Sequence, residues 1–273
     1  MSNHSAEAKN KCVALIQTRR GDLNLRPENI YAFEKSAIIQ RSSSLDELKD
    51  VLLCIDDEPL PGLHNEVNRF PSHLFALVDH NRLLGCFNSP DQRVVAVIDH
   101  HVDEGLYMDT ANPRIVEVVG SCSSWVGKYI RDSLGDKCHE LPREAATMLL
   151  CAILIDTNCL KPGDKTTVKD TEAVQYLAPL STLGLAPCIV NPRDNPDLRA
   201  LESMLSDKKS DVKNLPTGSL LKRDYKQYDW GSGTGGPSGI IRVGLSTVPM
   251  GLKEWLSPFR LQKITPNPIE EEF

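Results

Sequence analysis

The sequence predicts an α/β fold whose first domain has a mostly parallel sheet and whose second domain is a smaller, incomplete α/β unit. Two continuous apolar runs, at residues 73–79 and 93–99, have the pattern of strands buried on both faces. Helical patterns alternate with strand patterns along the chain, and that order is typical of a parallel sheet covered by helices. The chain has 273 residues, of which 40% are apolar and 25% charged, so it is long enough for two domains.

Local patterns predict the remaining elements of the first domain. The serines at residues 42–44, with Glu47 in the capping-box position, predict a helix that ends around Leu53. Hydroxyl side chains at residues 121–124 predict the N-cap of another helix. Strands are predicted at residues 12–17 and 115–119, and helices at residues 125–133 and 142–155, the last being nearly all apolar and ending at Asp156.

A proline-rich stretch at residues 187–196 predicts a boundary between domains at residues 1–190 and 191–273. In the second domain, a short helix is predicted at residues 198–205 and strands at residues 220–221 and 240–245. The loop at residues 231–236 contains the spacing G-x-G-x-x-G. Because a strand and not a helix follows it, a flexible hairpin is the better interpretation than a dinucleotide site.

Charge and cysteine usage exclude several classes of function. There are 31 basic and 37 acidic residues, a net charge of −6, and no basic stripe, which disfavours nucleic acid and anionic membranes as partners. The apolar runs are much shorter than the roughly 18 residues that span a bilayer, and the polar N-terminus lacks a secretory pattern. The eight cysteines never form Cys-x-x-Cys. We therefore expect a cytoplasmic protein with reduced, mostly buried cysteines.

Aspartates follow three buried apolar elements, and histidines accompany two of them. Asp79 and Asp99 end the two predicted central strands, and Asp156 ends the apolar helix. Ligands of open parallel sheets bind beyond the carboxyl ends of the strands. With His100 and His101, these carboxylates suit Mn²⁺, Mg²⁺ or Co²⁺ better than structural zinc. The alternative is that each aspartate caps a helix and each histidine bonds to the backbone.

The ordered motifs resemble those of a known family. Leu-Val-Asp-His-Asn at residues 77–81, Val-Ile-Asp-His-His at residues 97–101 and the pair Asp156-Thr157 are similar to motifs of the DHH phosphoesterase superfamily. The segments at residues 222–228 and 241–248 resemble its DHHA2 companion domain. The segment at residues 14–29 is most similar to the exopolyphosphatase and prune branch.

The resemblance implies a metal-dependent hydrolase of phosphoanhydride bonds, an exopolyphosphatase acting on inorganic polyphosphate, with pyrophosphate as another possible substrate. It implies two or more divalent ions, Mn²⁺ or Mg²⁺. By position in the motifs, Asp79 would bridge two ions, and His100 and Asp156 would ligate one of them. Asp99 would orient the histidines, and His101 would face the substrate phosphate. On the second domain, Arg223 and Lys226 would meet the phosphates.

The chain departs from the family pattern at both ends. Asn3 and His4 are not followed by the Asp-x-Asp that supplies the first metal ligands of the family, and the C-terminus stops before a complete DHHA2 domain would. We therefore expect a truncated form of the family architecture. The alternative function is a non-catalytic phosphate- or partner-binding relative, or a fragment that lacks the N-terminal ligands.

Overall fold

The structure is a computed structural model that describes residues 12–39, 48, 52–57, 72–186, 190–230 and 241–255. The strands are β1 (Leu15–Ile16), β2 (Leu53–Cys54), β3 (Leu74–Val78), β4 (Arg93–Asp99), β5 (Arg114–Val116), β6 (Tyr225–Trp230) and β7 (Ile241–Ser246). The helices are α1 (Pro27–Lys35), α2 (Cys122–Leu134), α3 (Arg143–Asp156), α4 (Val168–Leu180), α5 (Pro196–Ser210), α6 (Thr217–Arg223) and α7 (Leu252–Trp255). Within these ranges, no helix is long and apolar enough to cross a membrane.

The predicted parallel sheet is confirmed. Strands β3, β4 and β5 form one sheet in that order, and both pairings are parallel. Strands β1 and β2 form a second parallel pair, whereas β6 and β7 are antiparallel. The central strand β4 ends in fully buried residues, as its apolar run predicts. The parallel arrangement places the carboxyl ends of β3 and β4 side by side, which brings the residues after them together.

The prediction that residues 73–79 are buried on both faces is wrong. Leu74 and Val78 are 39% and 52% exposed, whereas Val97 on β4 is completely buried. Leu74, Ala76 and Val78 share one face of β3 and are all exposed, whereas Leu77 on the other face is buried. An apolar run shows that a segment can be buried, but the elements packed on each face of the sheet decide which side chains are covered.

A helical core lies beside the sheet and is built around α3. Ala146, Leu150, Ile153 and Leu154 of α3 are all completely buried, and their spacing places them on one side of the helix. They pack in one cluster with apolar residues of α4 and α5. The predicted apolar helix is thus confirmed. The helix predicted at residues 198–205 is longer, because Asn195 caps it by accepting hydrogen bonds from the backbone of Asp197 and Leu198.

The helix predicted to end around Leu53 lies mostly outside the described residues. Of its residues, 48, 52 and 53 are described: the Leu52 N–H donates to the Leu48 carbonyl at 2.9 Å, as in a helical turn, and Leu53 starts β2, where it pairs with Leu15 of β1. One element prediction is wrong. Residues 220–221, predicted as a strand, belong to α6, where the Leu220 N–H donates to the carbonyl of Pro216 at 3.0 Å. The seven residues of α6 are too few to show helical periodicity in the sequence. Leu220 is completely buried, and this tertiary packing favours the helix.

A buried ion pair joins the first helix to the C-terminal part of the chain. Arg223 Nη2 lies 3.1 and 3.0 Å from the two carboxylate oxygens of Glu28, and the two side chains are 5% and 6% exposed. Arg26 adds a hydrogen bond from its Nη2 to the carbonyl of Arg223 at 2.7 Å. These contacts hold the C-terminal end of α6 against α1.

We predict that Glu28→Ala lowers the free energy of unfolding by about 3–5 kcal/mol, because Arg223 is left as a buried charge without its counter-ion. The double replacement Glu28→Leu, Arg223→Met, which keeps apolar volume, should recover most of this loss. Urea denaturation measures both. The control Glu172→Ala breaks an exposed pair with Lys169 and should cost under about 1 kcal/mol. Equal losses for Glu28→Ala and Glu172→Ala would contradict the prediction.

Candidate metal centre

Asp79 stands directly after β3 in a conformation that L-residues rarely adopt. Its φ is +69°, in the left-handed region, and its N–H donates to the carbonyl of Ile98 on β4 at 3.0 Å. This bend turns the carboxylate toward the neighbouring strand, where Asp79 Oδ1 lies 3.2 Å from His100 Nε2. Backbone strain of this kind persists where the surroundings enforce it, and it is common at functional sites.

His100 is oriented by a backbone carbonyl. Its Nδ1 lies 3.0 Å from the oxygen of Val119, and because a carbonyl oxygen only accepts hydrogen bonds, Nδ1 carries the hydrogen. The other ring nitrogen, Nε2, faces Asp79 and is the atom that would bind an ion. A ligating histidine typically has this arrangement, in which the nitrogen that does not bind the metal donates to a fixed acceptor.

Asp99 is completely buried at the end of β4 and accepts hydrogen bonds from the residues around it. Its oxygens lie 2.8 Å from His101 Nδ1, 2.6 Å from Asn81 Nδ2 and 2.7 Å from the His100 N–H. Burial alone would raise the pKa of Asp99, but these hydrogen bonds outweigh it and hold the pKa below its usual value. The carboxylate thus stays ionised and fixes the ring of His101 with Nε2 directed away from it.

The structure brings three of the predicted site residues together. Among the described residues, one possible ligand atom each from Asp79, His100 and His101 lies within 4.8 Å of the others. A carboxylate with two imidazoles is a donor set that fits a divalent ion such as Mn²⁺. Removal from water raises the pKa of Asp79, the two imidazoles oppose that effect, and the charges of Asp156 and Asp99 add to it. A cation between these groups would relieve the repulsion among the carboxylates.

Asp156 lies near this cluster but outside the 4.8 Å group of described residues. It ends α3, and its Oδ2 accepts a hydrogen bond of 2.7 Å from Ser121 Oγ. Ser121 was expected only as part of a helix cap, yet its hydroxyl makes no cap and serves this carboxylate instead. Asn81 and Ser121 therefore contribute to the site. Both lie in segments that the sequence analysis singled out, but their hydrogen bonds to Asp99 and Asp156 could not be predicted.

The two basic candidates differ in their surroundings. Arg223 is inside the protein, paired with Glu28, and is not on a surface where a phosphate could meet it. Lys226 lies on β6 opposite Leu245 of β7, and its side chain is exposed. His80 is also outside the cluster of described donors, because its Nε2 accepts from Gln17 Nε2 at 3.0 Å and its Nδ1 donates to Val78 at 2.9 Å. The glycine loop at residues 231–236 lies outside the described residues.

Comparisons with known proteins agree with this arrangement. Residues 203–271 match the model of the DHHA2 domain. The candidate exopolyphosphatase of Schizosaccharomyces pombe is 32% identical over 264 residues, which cover 91% of this chain and 58% of that protein. Exopolyphosphatase PRUNE1 of Rattus norvegicus is 26% identical over 253 residues, covering 92% of this chain and 48% of that protein. The candidate manganese-dependent inorganic pyrophosphatase of Thermotoga maritima is 24% identical over 269 residues, covering 90% and 46%.

The fold also has a solved counterpart. The crystal structure of a candidate family II inorganic pyrophosphatase of Methanococcus jannaschii superposes with a TM-score of 0.50 at 22% identity, covering 82% of this chain and 60% of that one. The predicted α/β class is thereby confirmed. So is the resemblance to the exopolyphosphatase type of the DHH superfamily with a DHHA2 domain. The chain spans about half the length of the curated relatives it matches.

We predict that Asp79→Gly is more stable than Asp79→Ala by about 1 kcal/mol, because glycine adopts a positive φ without steric cost. Val78, the preceding residue on β3, is the matched control, since there alanine should be more stable than glycine. Thermal or urea denaturation of the four variants checks the sign at each position. The same preference at both positions would show that Asp79 carries no backbone strain.

We predict that the stability difference between wild type and Asp99→Asn depends on pH. The pKa of Asp99 is lower in the folded chain than its ordinary 3.8, so its contribution is complete above that value and is lost as pH falls through the lowered pKa. Denaturation from about pH 6 to about pH 3 should show the largest difference at the upper end. Parallel curves over that range would contradict the assigned hydrogen bonds.

Proposed function

We propose that the chain carries the metal centre of a hydrolase of phosphoanhydride bonds, an exopolyphosphatase that acts on inorganic polyphosphate. The observation that carries the proposal is the cluster of Asp79, His100 and His101 at the carboxyl ends of two adjacent parallel strands. The exopolyphosphatases and pyrophosphatase among the relatives support the same reaction class. Pyrophosphate is the second substrate that this chemistry would serve.

Asp79 and His100 would hold the ion, Mn²⁺ or Mg²⁺, and Asp156 would complete its ligands, with Asp79 shared where two ions are bound. When bound, the ions would activate a water molecule and neutralise charge on the phosphate. His100 is prepared for this role because Val119 holds its Nδ1 and leaves Nε2 for the ion. The negative charges of Asp79, Asp99 and Asp156 would attract a cation to this place.

His101 would act on the substrate. Asp99 accepts from its Nδ1, and the side chain is 59% exposed, so Nε2 is open to a substrate, and in the imidazolium form it would donate a hydrogen bond to a phosphate oxygen. Lys226 would add positive charge from β6. Arg223, also expected to meet the phosphates, would instead hold α6 to α1, because its guanidinium is already paired with Glu28.

A second candidate function is a non-catalytic relative that binds phosphate or a protein partner. It is favoured by the position of Asp156, which is bonded to Ser121 and stands apart from the donors within 4.8 Å. Three clustered donors suffice to hold one ion, whereas the reaction proposed above uses two or more. The number of Mn²⁺ ions bound per chain distinguishes the two candidates.

We further propose that the protein acts in the cytoplasm and has neither nucleic acid nor membranes as partners. The cysteines of the described residues are free, which fits a reducing compartment. The net charge of −6 opposes binding to another polyanion except at a local site such as the metal cluster.

The test is release of phosphate from tripolyphosphate with Mn²⁺ or Mg²⁺. The double variant Asp79→Ala, His100→Ala should lose at least about 100-fold in rate, because both proposed ligands are gone. The matched control Asp136→Ala, His139→Ala removes the same two residue types from exposed positions and should keep the rate. Equal rates in wild type and the site variant would overturn the proposal. A folded chain that binds one Mn²⁺ and releases no phosphate would favour the second candidate.

A further inference from the structure

A short loop between β5 and α2 touches two proposed ligands that come from different parts of the chain. The carbonyl of Val119 accepts from His100 Nδ1 at 3.0 Å, and Ser121 Oγ donates to Asp156 Oδ2 at 2.7 Å. His100 follows β4, whereas Asp156 ends α3. The position of the backbone at residues 119–121 therefore decides where both side chains stand relative to each other.

Asp170 anchors this loop from the first turn of α4. Its Oδ2 accepts from the Gly120 N–H at 3.0 Å, and its Oδ1 accepts from the Ser121 N–H at 3.1 Å. The residue is completely buried. A carboxyl group in such a place is tolerated only when hydrogen-bond partners surround it, so the loop and the carboxyl group hold each other in place.

The other contacts of Asp170 tie it to its own helix. Thr167 donates to Oδ2 from its N–H at 2.7 Å and from its hydroxyl at 2.8 Å. The first of these bonds, together with the Asp170 N–H donating to the Thr167 side chain, forms a capping box at the start of α4. Ser124 donates to Oδ1 from its hydroxyl at 2.6 Å. Both carboxylate oxygens of Asp170 are thus held by donors outside the loop. The side chain therefore cannot move with the loop if the loop shifts.

The packing at Gly120 leaves the loop no room. A Cβ at this position would lie 2.6 Å from Thr157 Cγ2 and 2.8 Å from Asp170 Oδ2. Thr157 is completely buried and is the residue after Asp156. The backbone of Gly120 is thus packed tightly between Asp170 and Thr157 at the end of α3. A shift of the loop would therefore also move Asp156.

We propose that Asp170 is a positioning residue of the metal centre. It holds the backbone at residues 119–121, and through that backbone it sets both the ring of His100 and the carboxylate of Asp156. The part of the proposal that concerns metal affinity rests on the proposed function. The part that concerns the geometry of His100 and Asp156 does not, because it is a property of the metal-free chain.

The test compares Asp170→Asn with Ser124→Ala in the full chain. Ser124→Ala removes one hydrogen bond to Asp170 but leaves the donors of the loop backbone intact, so it is the matched control. Nitrogen-15 NMR of the His100 ring in the metal-free chain reports which nitrogen carries the hydrogen, and titration with Mn²⁺ by electron paramagnetic resonance reports affinity. Asp170→Asn should mix the two tautomers of His100 and weaken Mn²⁺ binding by about 10–100-fold. Ser124→Ala should change neither, although it lowers the melting temperature.

A second variant, Ser121→Ala, tests the contact between the loop and Asp156 if Asp170→Asn fails to fold. It should shift the carbon-13 resonance of the Asp156 carboxylate and weaken Mn²⁺ binding by about 10-fold, while the His100 tautomer stays as in wild type because Val119 is untouched. The proposal is overturned if a folded Asp170→Asn keeps the wild-type tautomer, or if Ser121→Ala leaves the Asp156 resonance unchanged. A wild-type chain that binds no Mn²⁺ would overturn the proposed function, and the two NMR readouts would still decide the role of Asp170.

Discussion

The ionised carboxylate of Asp99, placed in the interior at the end of the central strand, is the constraint on which the arrangement of the site depends. A charge without access to water costs several kcal/mol unless donors surround it. The donors come from the segments that follow both β3 and β4, namely Asn81 and the two histidines. Asn81 extends the network, since its Nδ2 also donates to Val102 and its Oδ1 accepts from the Glu104 N–H. One buried carboxylate thereby determines the course of two loops.

The site also contains backbone strain, and that strain is concentrated beside the proposed ligands. Asp79 has a positive φ, and after Asp156 three consecutive residues, Asn158, Cys159 and Leu160, have φ values of 50°, 52° and 58°. Their conformation is held by packing and hydrogen bonds: Cys159 and Leu160 are buried, and the Cys159 N–H donates to Leu154 at 2.9 Å. The core of α3 thus stabilises a conformation that such residues would not adopt in isolation.

Much of the sheet and the identity of the clustered residues could be predicted from the sequence, because apolar runs and the residues after them are local patterns. Strand β4 and helix α3 are clear examples, and their ends bring Asp99 and Asp156 to the site. The exposure of Val78 could not be predicted, since it depends on whether another element packs over that face of β3. The hydrogen bond between Ser121 and Asp170 could not be predicted either, because the two residues are 49 positions apart in the sequence. Helix α4 and its Thr167–Asp170 capping box were not predicted, and the contacts of Asp170 with the loop at residues 119–121 are tertiary.

Arg223 and Lys226 show why a cluster of charges in the sequence does not define a binding surface. Both lie in one short basic stretch, but α6 ends at Arg223 and directs its guanidinium inward to Glu28, whereas Lys226 is on β6 with an exposed side chain. Because Arg223 is buried and paired with Glu28, its charge links α6 to α1. Because β6 begins only two residues after α6 ends, this ion pair also fixes where the strand that carries Lys226 starts. The buried arginine therefore influences the placement of the exposed lysine without facing a phosphate itself.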